Sequence, residues 1–238
     1  MSAQRKAAIV VGVLFILAIV LLFIGQAIYE PILGAPDYLD RAYPNQRTVI
    51  VGVLLEFTGT ALAVALIPVF LFPILKRHDE ALALGYFGFR LLEAVLHAID
   101  KLKKLSLVGL SQRYLDGGAM DASAFQMIGG SIQSESYWAF WLSVVVFAVG
   151  ALIFYSVLYR SRLVPRWISV WGFIAAVLLL IGSVLPELGA FAGFSGAALE
   201  LVFVLPIPLN EITLAIWLIS KGFNPSAIAL ESAKTDGI

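Results

Sequence analysis

Six apolar runs, each long enough to cross a bilayer as a helix, divide the sequence. A spanning helix needs about 20 mostly apolar residues, because the hydrocarbon core is about 30 Å thick and each residue adds about 1.5 Å. Strands of membrane barrels are shorter, about 10 residues, and alternate strictly. We therefore predict an all-α polytopic membrane protein, a bundle of six transmembrane helices. The predicted helices cover residues 7–28, 48–75, 81 to beyond Asp100, 137–159, 167–185 and 197–219.

The composition agrees with a membrane protein and excludes several other classes. Of the 238 residues, 61% are hydrophobic and 13% are charged, whereas soluble proteins are about 50% apolar and about 25% charged. The formal net charge is 0, so no overall field attracts nucleic acid. Without Cys and with only two His, the chain lacks the ligands of thiolate and three-histidine metal sites. We predict no cofactor and no bound metal.

The distribution of Lys and Arg predicts the orientation in the membrane. With the N-terminus in the cytoplasm, nine basic residues face inwards and six outwards, and the loop 160–166 contributes three of the nine. The first run is longer than the apolar part of a signal peptide, so we predict a retained helix. Both termini are then cytoplasmic, in the cytoplasmic (inner) membrane. Residues 1–222 are predicted to form a single transmembrane domain, and 223–238 a short, polar, disordered tail.

The connections between the runs are predicted to be short. Before the second helix, Asp37 can start a short external helix. The longest connection is predicted at residues 111–136, where glycine pairs at 117–118 and 129–130 favour loop structure. Between these pairs, Asp121 is predicted to cap a turn or two of interfacial helix.

One face of the predicted third helix carries charged and polar side chains. A charge in hydrocarbon is costly, so this stripe must face the protein interior or a wet cavity. The lysines at 101–104 are also typical of an ordinary solvated helix end. The six members, spaced 4, 3, 4, 3 and 4 residues apart, are Tyr86, Arg90, Glu93, His97, Asp100 and Lys104, and at about 100° per residue they lie within about 40°.

Partners for this stripe are predicted on the second and sixth helices. Glu56 lies in the second helix near Gly52, part of a small-residue face that favours close packing. The sixth helix holds Asn210 and Glu211, and prolines at 206 and 208 interrupt it and free backbone carbonyls.

The deepest carboxylates outnumber the deepest cations in this interpretation. Arg90 is the one fixed cation, and its planar guanidinium suits pairing with a carboxylate. Glu200 and Glu211 are eleven residues apart, so we expect them to share a helix face. Some carboxylates must then be protonated, face water or meet a bound cation. The carboxylates concerned are Glu56, Glu93, Glu200 and Glu211.

Known catalytic motifs are absent from the sequence. There is no His-Glu-x-x-His, no Gly-x-Ser-x-Gly and no phosphate-binding or dinucleotide-binding glycine loop. Glu93, His97 and Asp100 could present three ligands on one helix face, but metal sites need ligands from more than one element. The candidate cavity and ligand-binding residues are Glu56, Tyr86, Arg90, Glu93, His97, Asp100, Asn210 and Glu211.

Three functional hypotheses follow from these residues. The leading one is a non-enzymatic membrane protein that binds or moves a small molecule, lipid, ion or proton through a polar cavity between the second, third and sixth helices. A second is an intramembrane enzyme with Glu93 and His97 as acid and base. A third is a structural or regulatory membrane partner whose buried charges only fix helix packing. The lipid bilayer is a partner in all three, nucleic acid in none, and no oligomeric state follows from the sequence.

Several stretches together resemble a known family. They are RLLEAV at 90–95, YRSRLVPRWISVWG at 159–172, LNEI at 209–212 and WLISKGFN at 217–224. In these the chain resembles a large bacterial family of multi-pass membrane proteins catalogued as a domain of unknown function. The resemblance extends from the first helix to Asn224. It implies a compact helical bundle in the cytoplasmic membrane, and it implies no activity and no catalytic residues.

Overall fold

The computed structural model is an all-α membrane protein. It describes residues 2–117, 122–190 and 196–227, and these residues form no strand. Six helices are long and apolar enough to cross a membrane, which confirms the predicted fold class and number of spans. They are α1 (Ala3–Leu33), α2 (Gln46–Leu75), α3 (Glu80–Asp116), α4 (Ala122–Ser161), α5 (Arg166–Glu187) and α6 (Gly196–Ser220).

A short helix, Tyr38–Arg41, lies between α1 and α2, as predicted from Asp37. The Asp37 side chain makes no capping hydrogen bond. It accepts a hydrogen bond from Arg41 Nε at 2.7 Å instead. That hydrogen bond lowers the pKa of the Asp37 carboxyl below its usual value. The short helix is therefore fastened by a pair of side chains one turn apart rather than by its cap.

Helix α2 changes its winding midway. The regular helix Gln46–Phe57 passes into a π-helical segment, Thr58–Ala63, and α-helix resumes at Val64–Leu75. At this transition Thr60 Oγ1 donates to the backbone carbonyl of Glu56 at 2.9 Å. Side-chain bonds of this kind bend helices, and π turns are frequent at functional sites.

Helix α6 is interrupted, as its prolines predict. A π-helical segment, Glu200–Val204, precedes the final helix, Pro206–Ser220. Proline has no backbone N–H and is favoured at the first helical position, where none is needed. The expectation that Glu200 and Glu211 share a face assumed a regular helix, and the change of winding between them removes its basis. Glu200 is exposed, whereas Glu211 is partly buried.

The predicted loop at 111–136 is wrong over most of its length. Helix α3 continues to Asp116, and α4 begins at Ala122 rather than near residue 137. Gly129 is helical and contacts Tyr38: a Cβ placed there would lie 1.9 Å from the Tyr38 hydroxyl oxygen. This glycine therefore serves close packing and not a turn. Asp121, the predicted cap, lies outside the described residues.

The chain divides into two compact units. Unit 1 comprises Met1–Leu17, Val64–Leu92 and Val144–Ile238, and unit 2 comprises Ala18–Ala63 and Glu93–Ser143. In unit 1, Arg5 donates to the carbonyls of Leu218 at 2.9 Å and Ile219 at 2.6 Å. These bonds satisfy carbonyls that the C-terminal end of α6 leaves without helical partners.

The core of unit 1 extends past the last helix. Phe223 and Ala227 are buried in it, and the backbone N–H of Asn224 donates to the Leu163 carbonyl at 2.8 Å. The chain thus continues to pack beyond residue 222, where we predicted a disordered tail to begin. Residues 228–238 of that tail lie outside the described residues.

Unit 2 is held by close backbone approach between α1 and α2. A Cβ on Gly25 would lie 2.6 Å from the Gly52 carbonyl oxygen, and a Cβ on Gly52 would lie 2.9 Å from the Gly25 carbonyl oxygen. Small residues allow membrane helices to approach in this way. The predicted packing role of Gly52 is therefore confirmed, and it brings α1 against Glu56: the same Gly25 Cβ would lie 2.7 Å from the Glu56 Cβ.

Candidate functional site

The polar stripe lies on a single continuous helix. Helix α3 contains all its members, and apart from Lys104 each is at least nine-tenths buried. Leu92 and Ile99, which lie off the stripe, are exposed as lipid-facing side chains should be. The prediction that the stripe is turned away from lipid is confirmed. Its members belong to both units, and each unit contains a separate group of polar side chains.

In unit 2, the carboxylate of Glu56 is surrounded by donors. Lys101 Nζ lies 2.7 Å from Glu56 Oε1, and Gln26 Nε2 donates to the same oxygen at 3.3 Å. Tyr29 OH donates to Glu56 Oε2 at 2.5 Å. Both oxygens of this fully buried carboxylate are thus engaged, by side chains from α1 and α3.

Asp100 of α3 belongs to the same network of side chains. Its Oδ2 accepts a short hydrogen bond from Lys101, and its Oδ1 accepts from Lys104 Nζ at 2.7 Å. Ser136 of α4 also donates a short hydrogen bond to Oδ1. Lys101 therefore bridges Glu56 and Asp100. We call Tyr29, Glu56, Asp100, Lys101, Lys104 and Ser136 the charge network.

The charge network corrects the sequence interpretation of the lysines. The sequence pattern favours a solvated helix end for Lys101, but the exposure of this residue is 2%. With Lys104 it brings two positive charges to Glu56 and Asp100, so the network is electrically neutral. The count that gave Arg90 as the one deep cation is therefore wrong. A signal was present, since Lys101 follows Arg90 by eleven residues, about three helical turns.

Glu93 and His97 lie about two turns and one turn before Lys101 on α3, also in unit 2. His97 Nε2 and Glu93 Oε1 are 4.0 Å apart, and both residues are buried. The His97 ring meets Phe140 of α4 edge-on, with ring centroids 5.8 Å apart. Within residues 2–117, 122–190 and 196–227, no cluster of three His, Asp or Glu has a metal-binding arrangement.

In unit 1, Arg90 lies among aromatic rings. Its guanidinium carbon is 5.1 Å from the centroid of Phe147 and 5.9 Å from that of Tyr86. Glu211 of α6 is close enough to Arg90 for their charges to interact. Both residues are also close enough to Tyr155 to interact electrostatically with its hydroxyl group. The pairing of Arg90 with a particular carboxylate stays a prediction.

Asn210 of α6 links that helix to α5. Its Nδ2 donates to the Ile168 carbonyl at 3.0 Å, and its side chain is fully buried. Its Oδ1 has no hydrogen-bond partner among the described residues. The structure therefore groups Arg90, Asn210 and Glu211 in unit 1. Glu56, Glu93, His97 and Asp100 belong to unit 2.

The fold and these sites define a class of protein: a polytopic α-helical membrane protein with buried charged side chains. A family model described as DUF4386, a domain of unknown function, matches residues 10–222. The chain belongs to this family, as its resemblance led us to expect. Comparison with curated proteins gave no match, and neither did comparison with solved structures.

Proposed function

We propose that this chain is a non-enzymatic membrane protein that takes up and moves protons through the charge network of unit 2, with Glu93 and His97 on the same route. The observation that carries the proposal is the arrangement of Glu56, Lys101 and Asp100. Each carboxylate oxygen of this trio accepts a bond from a neighbour that itself carries a proton. Chains of buried acidic and basic side chains are typical of proton paths in membrane proteins.

The neutrality of the network supports this role. Removing one partner of a buried ion pair costs about 3–5 kcal/mol, because the other charge is left without compensation. Adding a proton to Glu56 would likewise leave Lys101 with Asp100 as its one remaining carboxylate. With the added proton on Glu56 or on Asp100 the network carries the same net charge of +1, and neutrality returns when the proton leaves Asp100. The buried charge therefore lasts only while a proton is in transit.

Histidine extends the route along α3. Its imidazole changes charge near neutral pH more readily than other side chains do. His97 lies one turn from Lys101 and 4.0 Å from Glu93. A slight approach of these two side chains brings them to hydrogen-bonding distance.

A flux assay in liposomes tests the proposal. The purified protein is reconstituted with a pH-sensitive dye inside, and a potassium diffusion potential drives protons inwards. We expect protein-dependent acidification, lowered at least about tenfold by Glu56→Gln or Asp100→Asn, since each removes an acceptor in the route. Lys103→Met is the matched control, because Lys103 pairs with half-exposed Glu135 outside the network.

Infrared difference spectra between two pH values provide an independent measurement. We expect a carboxyl band that titrates in the wild type and disappears in Glu56→Gln. Flux no greater than in empty liposomes, together with no titrating carboxyl, contradicts the proposal and favours a packing role for the network. Turnover of a compound that depends on Glu93 and His97 would instead favour the enzyme hypothesis.

We also propose that the protein resides in the bacterial cytoplasmic membrane with both termini in the cytoplasm. The excess of Lys and Arg on that side supports this orientation.

A further inference from the structure

A groove lies between the end of α4 and the start of α5 in unit 1, and none of its lining residues belongs to the charge network. It encloses about 270 Å³. One wall carries Val170, Phe173 and Ile174, three apolar side chains of α5 that are each more than two-fifths exposed. Positions three and four residues apart share a helix face, so these side chains form a continuous apolar strip.

Two of the residues that line this groove carry buried hydroxyl groups. Tyr155 of α4 and Ser169 of α5 line it, and both are almost completely buried. Neither Tyr155 OH nor Ser169 Oγ has a hydrogen-bond partner among the residues that the structure describes. Buried hydroxyls are normally hydrogen-bonded, so each of these two groups can donate to an oxygen that a ligand brings.

The end of the groove at the helix termini is basic. Arg160 lines it and is exposed, and no Asp or Glu is among its lining residues. Arg166, at the start of α5, stacks over the ring of Tyr159 with 5.0 Å between guanidinium carbon and ring centroid. Basic side chains between helix ends are the usual partners of anionic lipid headgroups.

We propose that this groove binds one anionic phospholipid. The phosphate meets Arg160 at the helix ends, an acyl chain lies along Val170 and Ile174, and Tyr155 and Ser169 donate hydrogen bonds to oxygens of the glycerol ester region. The order of these features along the groove, from charge to apolar wall, matches the order of groups along a phospholipid. The proposal concerns a different unit from the proton route and does not depend on it.

Native mass spectrometry of the full-length protein in detergent tests this site. Phosphatidylglycerol and phosphatidylcholine with the same acyl chains are the probes. We expect one phosphatidylglycerol to bind saturably and more tightly than phosphatidylcholine. Arg160→Gln should weaken this binding about five- to tenfold, the range expected for loss of one basic contact to an anionic lipid. Arg77→Gln, at an exposed arginine of the α2–α3 turn, is the control and should have no effect.

Two further variants separate the site from general surface attraction. Ile174→Trp fills the groove and should abolish the bound phosphatidylglycerol, while melting curves monitored by circular dichroism show that the helices remain. Ser169→Ala should weaken binding without changing the preference for phosphatidylglycerol. Equal binding of both lipids overturns the proposal, as do equal losses in Arg160→Gln and Arg77→Gln. Unchanged binding in Ile174→Trp overturns it as well.

Discussion

Lys101 is the residue on which the electrostatics of unit 2 depend. Its ammonium group contacts Glu56 and Asp100 together, and its side chain is as buried as the carboxylates. An ammonium group in such a place is stable only because both neighbours are negative. Tyr29 contacts the same group of charges. Its hydroxyl donates to Glu56, and its ring lies 5.4 Å from Lys104 Nζ. Removal of any one charge changes the balance for all the others.

We expect Lys101→Met to destabilise the protein by about 3–5 kcal/mol, the cost of leaving buried carboxylates without their cation. Lys103→Met should cost at most about 1 kcal/mol, because its pair with Glu135 is exposed to water. Unfolding of the detergent-solubilised protein with increasing denaturant measures both. The double variant Lys101→Met/Glu56→Gln, which restores neutrality, should recover part of the loss. Equal effects of the two lysine variants would contradict this assignment.

The sequence identifies the individual residues of the buried stripe, but it does not identify all the side chains that contact them. Charged residues three and four apart leave a clear pattern, so Arg90, Glu93 and Asp100 stand out. Tyr29 and Gln26 leave no pattern, because single neutral polar residues are common in apolar runs. Lys101 is harder to predict for another reason: lysines at the end of an apolar run usually extend to the interface, and this preference competes with its spacing of eleven residues from Arg90.

Among the elements, α4 shows how packing overrides local preference. Gly129 and Gly130 are adjacent glycines, a pair that favours loop structure. Both lie inside a helix of 40 residues. Each glycine costs about 1 kcal/mol in helix propensity relative to Ala, yet Gly129 allows Tyr38 to approach α4 more closely than any side chain would. The helix is therefore stabilised by a contact distant in sequence, which explains why the local prediction of a loop is wrong.

The two glycines should respond in opposite directions to the same change. Gly129→Ala should destabilise the protein, because the new methyl group would overlap the Tyr38 hydroxyl. Gly130→Ala should stabilise it by up to about 1 kcal/mol, since a Cβ there meets nothing within 4 Å. Thermal unfolding followed by circular dichroism distinguishes the two.

Adding Tyr38→Phe to Gly129→Ala should restore part of the stability, because the closest atom is then removed. Stabilisation by Gly129→Ala alone would show that Tyr38 moves aside without cost, and would contradict the packing role.

On the scale of the whole molecule, the membrane is the strongest constraint, and it is the part that the sequence predicts best. Hydrocarbon cannot satisfy backbone N–H and C=O groups, so each long apolar run must form a helix, and six runs give six spans. The ends of the spans are less well predicted, because helices continue into the headgroup region and beyond. The division into two units has no counterpart in the apolar pattern, since it depends on which side chains meet.

The predicted orientation can be measured by cysteine labelling without background from native residues, because the chain contains no Cys. Single cysteines at exposed positions are labelled in whole cells with a membrane-impermeant maleimide. We expect Gln112→Cys, near the end of α3, to react in intact cells. Ser2→Cys should react only after the cells are permeabilised, because the N-terminus is predicted to be cytoplasmic. The opposite pattern would reverse the topology while leaving the helix assignments intact.

The division into units has a consequence for synthesis of the chain. Unit 2 uses residues up to Ser143, so all its parts are present once the fourth helix has left the ribosome. Unit 1 combines the first, middle and last parts of the chain, and Arg5 donates to carbonyls more than 200 positions later. Its core cannot close until translation is nearly finished. A nascent chain stalled after the fourth helix would therefore contain every residue of the charge network. The start of α1 would still lack α6, the helix whose carbonyls Arg5 binds.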